Sequence, residues 1–176
     1  MGLVLTYIAH RDERLMRRVN RWQPPRWIRL WMLTATRGGD GWLWYGLGLA
    51  VLLLGGEDRF RAVASAGLAL TAGIVIFLQL KRRINRQRPC HREPHCWANL
   101  LPPDQFSFPS GHTITAFSTA VSLSMFYPGL APGLLFCACS VALSRVMLGM
   151  HYLSDVVAGA AIGITLATGV VYLLRP

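Results

Sequence analysis

Three stretches of this sequence are uninterrupted by any charged residue, and a water-soluble fold of this size has no place for them. Residues 62–80 and 156–174 are 19 residues each, and residues 113–144 are 32 residues. A helix that crosses a bilayer needs about 20 apolar residues, with its backbone groups satisfied inside the segment. Each shorter stretch therefore reads as one crossing. The longest carries Pro128, Gly129, Pro132 and Gly133 at its centre. Such residues punctuate helices, so this stretch reads as a hairpin that crosses twice. The alternative is a soluble protein with fully buried helices. With 53% hydrophobic and 15% charged residues, the chain has too little polar surface to cover them.

The amino-terminal quarter is patterned differently. Residues 42–54 are apolar but short, and a helix starting near Thr34, with Arg37 or Asp40 at its mouth, would complete a span. Upstream, Arg14, Arg17, Arg18, Arg21, Arg26 and Arg29 interleave with Leu15, Val19, Trp22, Trp27, Ile28 and Trp31. That mixture suits helices lying in the headgroup layer. The expected fold is an all-α integral membrane bundle of five spanning helices, or six if the first region holds another. Its expected parts are an interfacial amphipathic segment, residues 1–31, and a membrane-embedded part, residues 32–176. The net charge of +10 mostly flanks apolar segments, where anionic lipid headgroups are the nearer partner than nucleic acid. No nucleic-acid partner is expected.

The polar residues that border these segments form a pattern. Lys81, the only lysine against seventeen arginines, ends one span, and Arg88 follows at a spacing of seven. Both would share a face if the helix ran two turns past the membrane, with Pro89 ending it. Ser110, Gly111 and His112 open the hairpin, where free amides and the helix dipole favour an anion. Arg145 closes that hairpin, so it emerges on the same side as His112. His151 and Asp155 are four apart, which would stack them on one helical face, the carboxylate holding the imidazole in one tautomer. Taken singly, each has an ordinary explanation: Ser110 as a helix cap, a histidine at a helix end as structural, and Arg82, Arg83, Arg86 and Arg92 as interfacial charges. Taken together, three cations and two histidines on one membrane face describe a site for processing phosphate.

The cysteines add little. Cys137 and Cys139 point to different faces of a helix and read as packing residues. Cys90 and Cys96 bracket two histidines, yet the spacing fits no zinc pattern, so no metal site is expected. A disulfide between them requires an oxidising compartment.

Lys81-x6-Arg88-Pro89, Pro109-Ser110-Gly111-His112 and Ser144-Arg145-x5-His151-x3-Asp155 resemble, position for position, the three-part signature of the type 2 phosphatidic acid phosphatase superfamily. That group includes membrane lipid phosphate phosphatases, glucose-6-phosphatase and vanadium haloperoxidases. Its membrane members commonly have six spans, against the five read here. The resemblance implies that His151 is a nucleophile forming a phosphohistidine, that Asp155 orients it, and that His112 serves as acid and then base. Lys81, Arg88 and Arg145, with Ser110 and the amides near Gly111, would hold the nonbridging oxygens. Three fixed cations can supply what magnesium supplies elsewhere, so no metal or other cofactor is expected.

The implied partner is a membrane lipid phosphate in the bilayer: phosphatidylglycerophosphate, undecaprenyl diphosphate, phosphatidate or lipid A. Residues 90–108, with Trp97, Leu100, Leu101, Phe106 and Phe108, would form an apolar lid over its headgroup. Two alternatives are a non-catalytic protein that binds or transports anionic lipid, and a vanadate-dependent haloperoxidase relative. The former has no use for both His112 and the His151–Asp155 pair. Sidedness draws two opposed arguments. The positive-inside rule puts the arginine-rich side in the cytoplasm, whereas the resembled bacterial lipid phosphatases usually act at the outer face of the cell membrane, which is the expectation adopted.

Overall fold

The computed structural model describes residues 3–92 and 105–174. Eight helices run α1 (Leu3–Arg21), α2 (Arg26–Gly39), α3 (Trp42–Leu54), α4 (Arg59–Ile84), α5 (Pro89–Arg92), α6 (Gly111–Phe126), α7 (Ala131–Met147) and α8 (Leu153–Leu174). Among the described residues there is no strand, and Gln87 and Phe106 form an isolated antiparallel bridge. The all-α membrane fold expected from the sequence is the one observed.

Helix α6 occupies the centre, packed by α4, α7 and α8. Its composition explains that position. Ala116, Ser118, Ala120 and Ser122 are buried along it, and small side chains let neighbouring backbones come close, which is how helices associate without a hydrophobic force between them. Helix α8 answers with Gly159 and Gly163, one turn apart. A Cβ at Gly163 would lie 2.7 Å from the Ile114 carbonyl oxygen, and one at Gly159 would lie 2.8 Å from that of Ser110. Any side chain at either position would have to displace the backbone of α6. This packing fixes the start of α6 against the start of α8, the two places where the polar motifs lie.

The expected hairpin is present as α6 and α7, joined by a short turn at Pro128–Leu130. At that end the Tyr127 hydroxyl donates to the Gly55 carbonyl at 2.9 Å, tying the turn to the α3–α4 connection. The opposite end gathers the motifs. Among the described residues three helices are long and apolar enough to cross a membrane, Gly56–Ile84, Pro128–Met147 and Leu153–Leu174, and Trp42–Leu54 is a shorter apolar one. Apolar residues such as Leu53, Leu68, Val75, Val157 and Leu173 face outward from them, where hydrocarbon would cover them.

Three local readings are corrected. The helix imagined from Thr34 onward is broken: α2 passes residue 31 and stops at Gly39, and Gly41, at φ +122°, turns the chain into α3. Only glycine takes that backbone conformation readily. Helix α4 does not run on to Arg88. It ends at Ile84, where Asn85 adopts a left-handed conformation at φ 50° and its N–H caps the Lys81 carbonyl. Pro89 begins α5 instead of ending α4, a first-turn position that suits proline. Helix α8 starts at Leu153, so His151 precedes it and Asp155 lies in its first turn. Cys96, Trp97, Leu100 and Leu101, named for the disulfide and the lid, lie outside the described residues.

Helices α1 and α2 lie at the motif end. Met16 of α1 packs with Ala142, Val146, Tyr152 and Val156, and Met32 of α2 with Met147, Leu148 and Met150. Their arginine-rich faces point away, with Trp22, Trp27 and Leu30 exposed.

Candidate active site

The segment after α4 and the segment before α6 meet as a small ladder. The Ser107 N–H donates to the Arg86 carbonyl at 2.7 Å and the Arg88 N–H to the Gln105 carbonyl at 3.3 Å. This places Arg88, in extended chain, directly beside the start of α6. The turn between α7 and α8 closes the third side. A cavity of about 500 Å³ lies among these elements, lined by Lys81, Arg88, Gly111, His112, Arg145 and His151 together with Asp40, Ile74, Phe77, Leu78 and Ile114. Six of the eight residues selected from the sequence thus share one cavity. The other two are set behind it. Asp155 is fully buried, and Ser110, also buried, accepts a 2.9 Å hydrogen bond from the Thr113 hydroxyl while its N–H donates to the Asp155 carbonyl. Gly111 abuts the Phe77 ring, which a Cβ would approach to 3.2 Å, and the Lys81 ammonium lies 4.6 Å from the centre of that ring.

His151 is held on both sides. Its Nδ1 lies 2.6 Å from the Ser107 carbonyl oxygen, and its Nε2 lies 3.1 Å from Arg88 Nη1. A carbonyl can only accept and a guanidinium can only donate. The ring is therefore protonated on Nδ1, with the Nε2 lone pair turned toward the cationic cavity. Its pKa is lowered to about 4, chiefly by burial and with help from Arg145 and Arg88, while Asp155 pulls the other way. The imidazole is accordingly neutral at physiological pH. The shorter of its Nδ1 contacts is with the Ser107 backbone carbonyl; Asp155 Oδ2 faces the same nitrogen at 3.8 Å. That carboxylate accepts from the Tyr152 N–H at 2.8 Å and from Arg86 at 2.7 Å.

The two buried arginines are anchored from behind. Arg88 Nη1 also donates to the Met150 carbonyl at 2.9 Å, and Arg145 Nη1 donates to the Thr36 hydroxyl of α2. His112 has a partner that was not expected: its Nε2 lies 2.7 Å from Asp40 Oδ1. Sequence reasoning missed Asp40, Arg86, Asp12 and Ser107. Two of these left a trace, since a chain with 8 acidic residues places Asp12 amid arginines and Asp40 between glycines at a membrane boundary. Among the described residues no cluster of histidine, cysteine and carboxylate side chains suits a metal ion.

Comparison with known proteins shows the family of the chain. Residues 62–176 match the model of the PAP2 superfamily. The chain is 40% identical over 128 residues to the decaprenylphosphoryl-5-phosphoribose phosphatase of Mycobacterium tuberculosis, spanning 71% of this chain and 67% of that protein. It is 36% identical over 99 residues to the lipid A 1-phosphatase of Rhizobium etli, spanning 53% of this chain and 43% of that one. The crystal structure of Aquifex aeolicus LpxE superposes with a TM-score of 0.77 at 28% identity, over 90% of this chain and 93% of that one. A phosphatidylglycerolphosphate phosphatase from Bacillus subtilis shares the fold, with a TM-score of 0.71 at 24% identity, over 95% of this chain and 86% of that one. The chain is an integral membrane protein that belongs to the PAP2 superfamily, the type 2 phosphatidic acid phosphatases whose three motifs it carries.

Proposed function

We propose that this protein hydrolyses the phosphate of a membrane lipid through a phosphohistidine on His151. The observation that carries the reading is the His151 ring, held at Nδ1 by the Ser107 carbonyl and lining one cavity with Lys81, Arg88 and Arg145. In the first step Nε2 attacks phosphorus, a P–N bond forms, and the bond from phosphorus to the lipid oxygen breaks. His112 gives that oxygen its proton. In the second step His112 takes a proton from water, the hydroxide attacks phosphorus, and the P–N bond breaks to release phosphate and restore neutral His151. The three cations hold the nonbridging oxygens throughout, which is most of what phosphoryl transfer asks of a protein. Gly111 contributes backbone at the positive end of α6, and Ser110 acts by fixing that helix start. Asp155 stabilises the positive charge that His151 gains on phosphorylation. Burial and Arg145 lower the pKa of His112; Asp40, at Nε2, opposes them and favours the protonated ring that the acid step needs, leaving Nδ1 as the ring nitrogen for the departing oxygen.

The substrate is an amphiphile. Ile74, Phe77 and Leu78 on α4 line the same cavity as the cations, and Ile74 and Leu78 are also exposed along the helix flank, so a headgroup can enter while its chain stays in hydrocarbon. Phosphatidylglycerophosphate, undecaprenyl diphosphate, phosphatidate and lipid A are candidates, and the 40% identity to a polyprenyl sugar-phosphate phosphatase adds that class. Purified protein in detergent, assayed against this panel in excess EDTA, is expected to release inorganic phosphate. Activity lost on chelation and restored by magnesium would overturn the metal-free mechanism, and binding without phosphate release would favour a lipid-binding protein. The site is read as facing outward from the bacterial cell membrane, on the family resemblance. A single cysteine introduced at residue 95 should then react with an impermeant thiol reagent in intact cells under reductant. Labelling only after lysis would place the site in the cytoplasm.

A further inference from the structure

Behind the cavity Asp155 is held by a polar set, Arg86, Asp12 and Ser154, that the mechanism above does not use. Arg86 follows α4 by two residues, Asp12 lies in the middle of α1, and Ser154 is in the first turn of α8. Arg86 Nη1 donates to Asp155 Oδ1 at 2.7 Å and to the Ser154 hydroxyl at 2.7 Å, and Nη2 donates to Asp12 Oδ2 at 2.8 Å. Its guanidinium carbon lies 4.0 Å from the centre of the Tyr152 ring. Asp12 is 5% exposed and accepts two more hydrogen bonds from Ser154, one from its N–H at 3.2 Å and one from its hydroxyl.

A fully buried carboxylate such as Asp155 needs a counter-charge, and Arg86 supplies one. A long arginine held at one edge alone could turn about that contact. With a carboxylate at each Nη, the planar fork has a single orientation. Burial alone would weaken the hold of Arg86 on its proton, but Asp155 and Asp12 outweigh it and raise its pKa, so Arg86 stays charged. Asp155 is thereby pinned at Oδ1 by Arg86 and at Oδ2 by the Tyr152 N–H. It remains 3.8 Å from the His151 ring and leaves the ring's N–H to the Ser107 carbonyl.

We infer that Asp12 of the amino-terminal helix is a positioning residue for catalysis, locking Arg86 against Asp155 and so fixing the carboxylate that faces the nucleophile. Helix α1 is then part of the active site as well as a surface helix. The inference rests on the His151–Asp155 reading given under Proposed function.

The test uses the full chain in detergent, assayed for kcat, KM and vanadate inhibition. Asp12→Asn should lower kcat by about tenfold or more, as loss of a supporting hydrogen bond behind a reactive group does, with KM and vanadate inhibition unchanged. Arg86→Met should lower kcat at least as far. The double variant should fall no further than Arg86→Met alone, because the two act as one unit. Parental kcat in Asp12→Asn, or fully additive losses in the double variant, would overturn the inference. Should Asp12→Asn fail to fold, Ser154→Ala removes only the hydroxyl shared by Asp12 and Arg86; it should lower kcat in the same way, and parental kcat there would also overturn it. Turnover that survives His151→Ala would overturn the nucleophile assignment and this inference together. Parental turnover in Asp12→Asn beside an inactive His151→Ala overturns this inference alone.

Discussion

His151→Ala should lower lipid phosphate turnover by about 10⁴-fold or more, a loss of the size seen when a covalent nucleophile is removed. In free energy this is about 5 kcal/mol of transition-state stabilisation. The effect should fall on kcat and leave binding of phosphate largely intact. Lys81, Arg88 and Arg145 line the cavity; Arg88 loses its contact with His151 Nε2, but Arg88 and Arg145 keep their anchors at the Met150 carbonyl and the Thr36 hydroxyl. Competition by inorganic phosphate in an equilibrium binding assay separates the two quantities. A variant that loses phosphate binding along with turnover would make His151 part of the anion cage instead of the attacking group.

The second large effect depends on the leaving group. His112→Ala should slow cleavage of an ordinary lipid phosphate by about 10²- to 10⁴-fold, the range for loss of a general acid. A nitrophenyl phosphate needs no proton as it departs, so His151 should still be phosphorylated by it at a rate near the parental one. Asp40→Asn should share this signature in milder form, because it removes the carboxylate 2.7 Å from His112 Nε2 and leaves the imidazole in place. If His112→Ala hydrolyses a lipid ester as fast as the parent, the acid assignment is wrong.

Much of this site was legible because its parts obey local rules. A run of 32 uncharged residues with prolines and glycines at its middle has few options besides the α6–α7 hairpin. The hairpin brings His112 and Arg145 to one face. Other features were local but read the wrong way. Pro89 was given the end of a helix that Asn85 ends four residues earlier, since asparagine's ease in the left-handed region is a weaker signal than proline. The Gly159–Gly163 spacing lies in plain view and lets α8 meet the backbone of α6, yet glycine spacing does not say which partner it meets. What no local pattern carries is long-range pairing. Arg86 looks like any interfacial arginine until Asp155, 69 residues on, and Asp12, 74 residues back, close around it. Asp155 does face His151, its Oδ2 3.8 Å from Nδ1, but with α8 starting at Leu153 the histidine lies outside the helix, and the shorter contact of its ring is with the Ser107 carbonyl.

The claim on which the mechanism turns is a covalent bond between phosphorus and His151. His112→Ala, incubated with a nitrophenyl phosphate and quenched under alkaline conditions, should accumulate a phosphoenzyme, because phosphorylation survives while the activation of water is lost. Mapping the modified peptide by mass should put the phosphoryl group on His151, and His151→Ala/His112→Ala should carry none. Continued hydrolysis with no trapped phosphoenzyme, or a phosphoryl group on any other residue, would contradict the account.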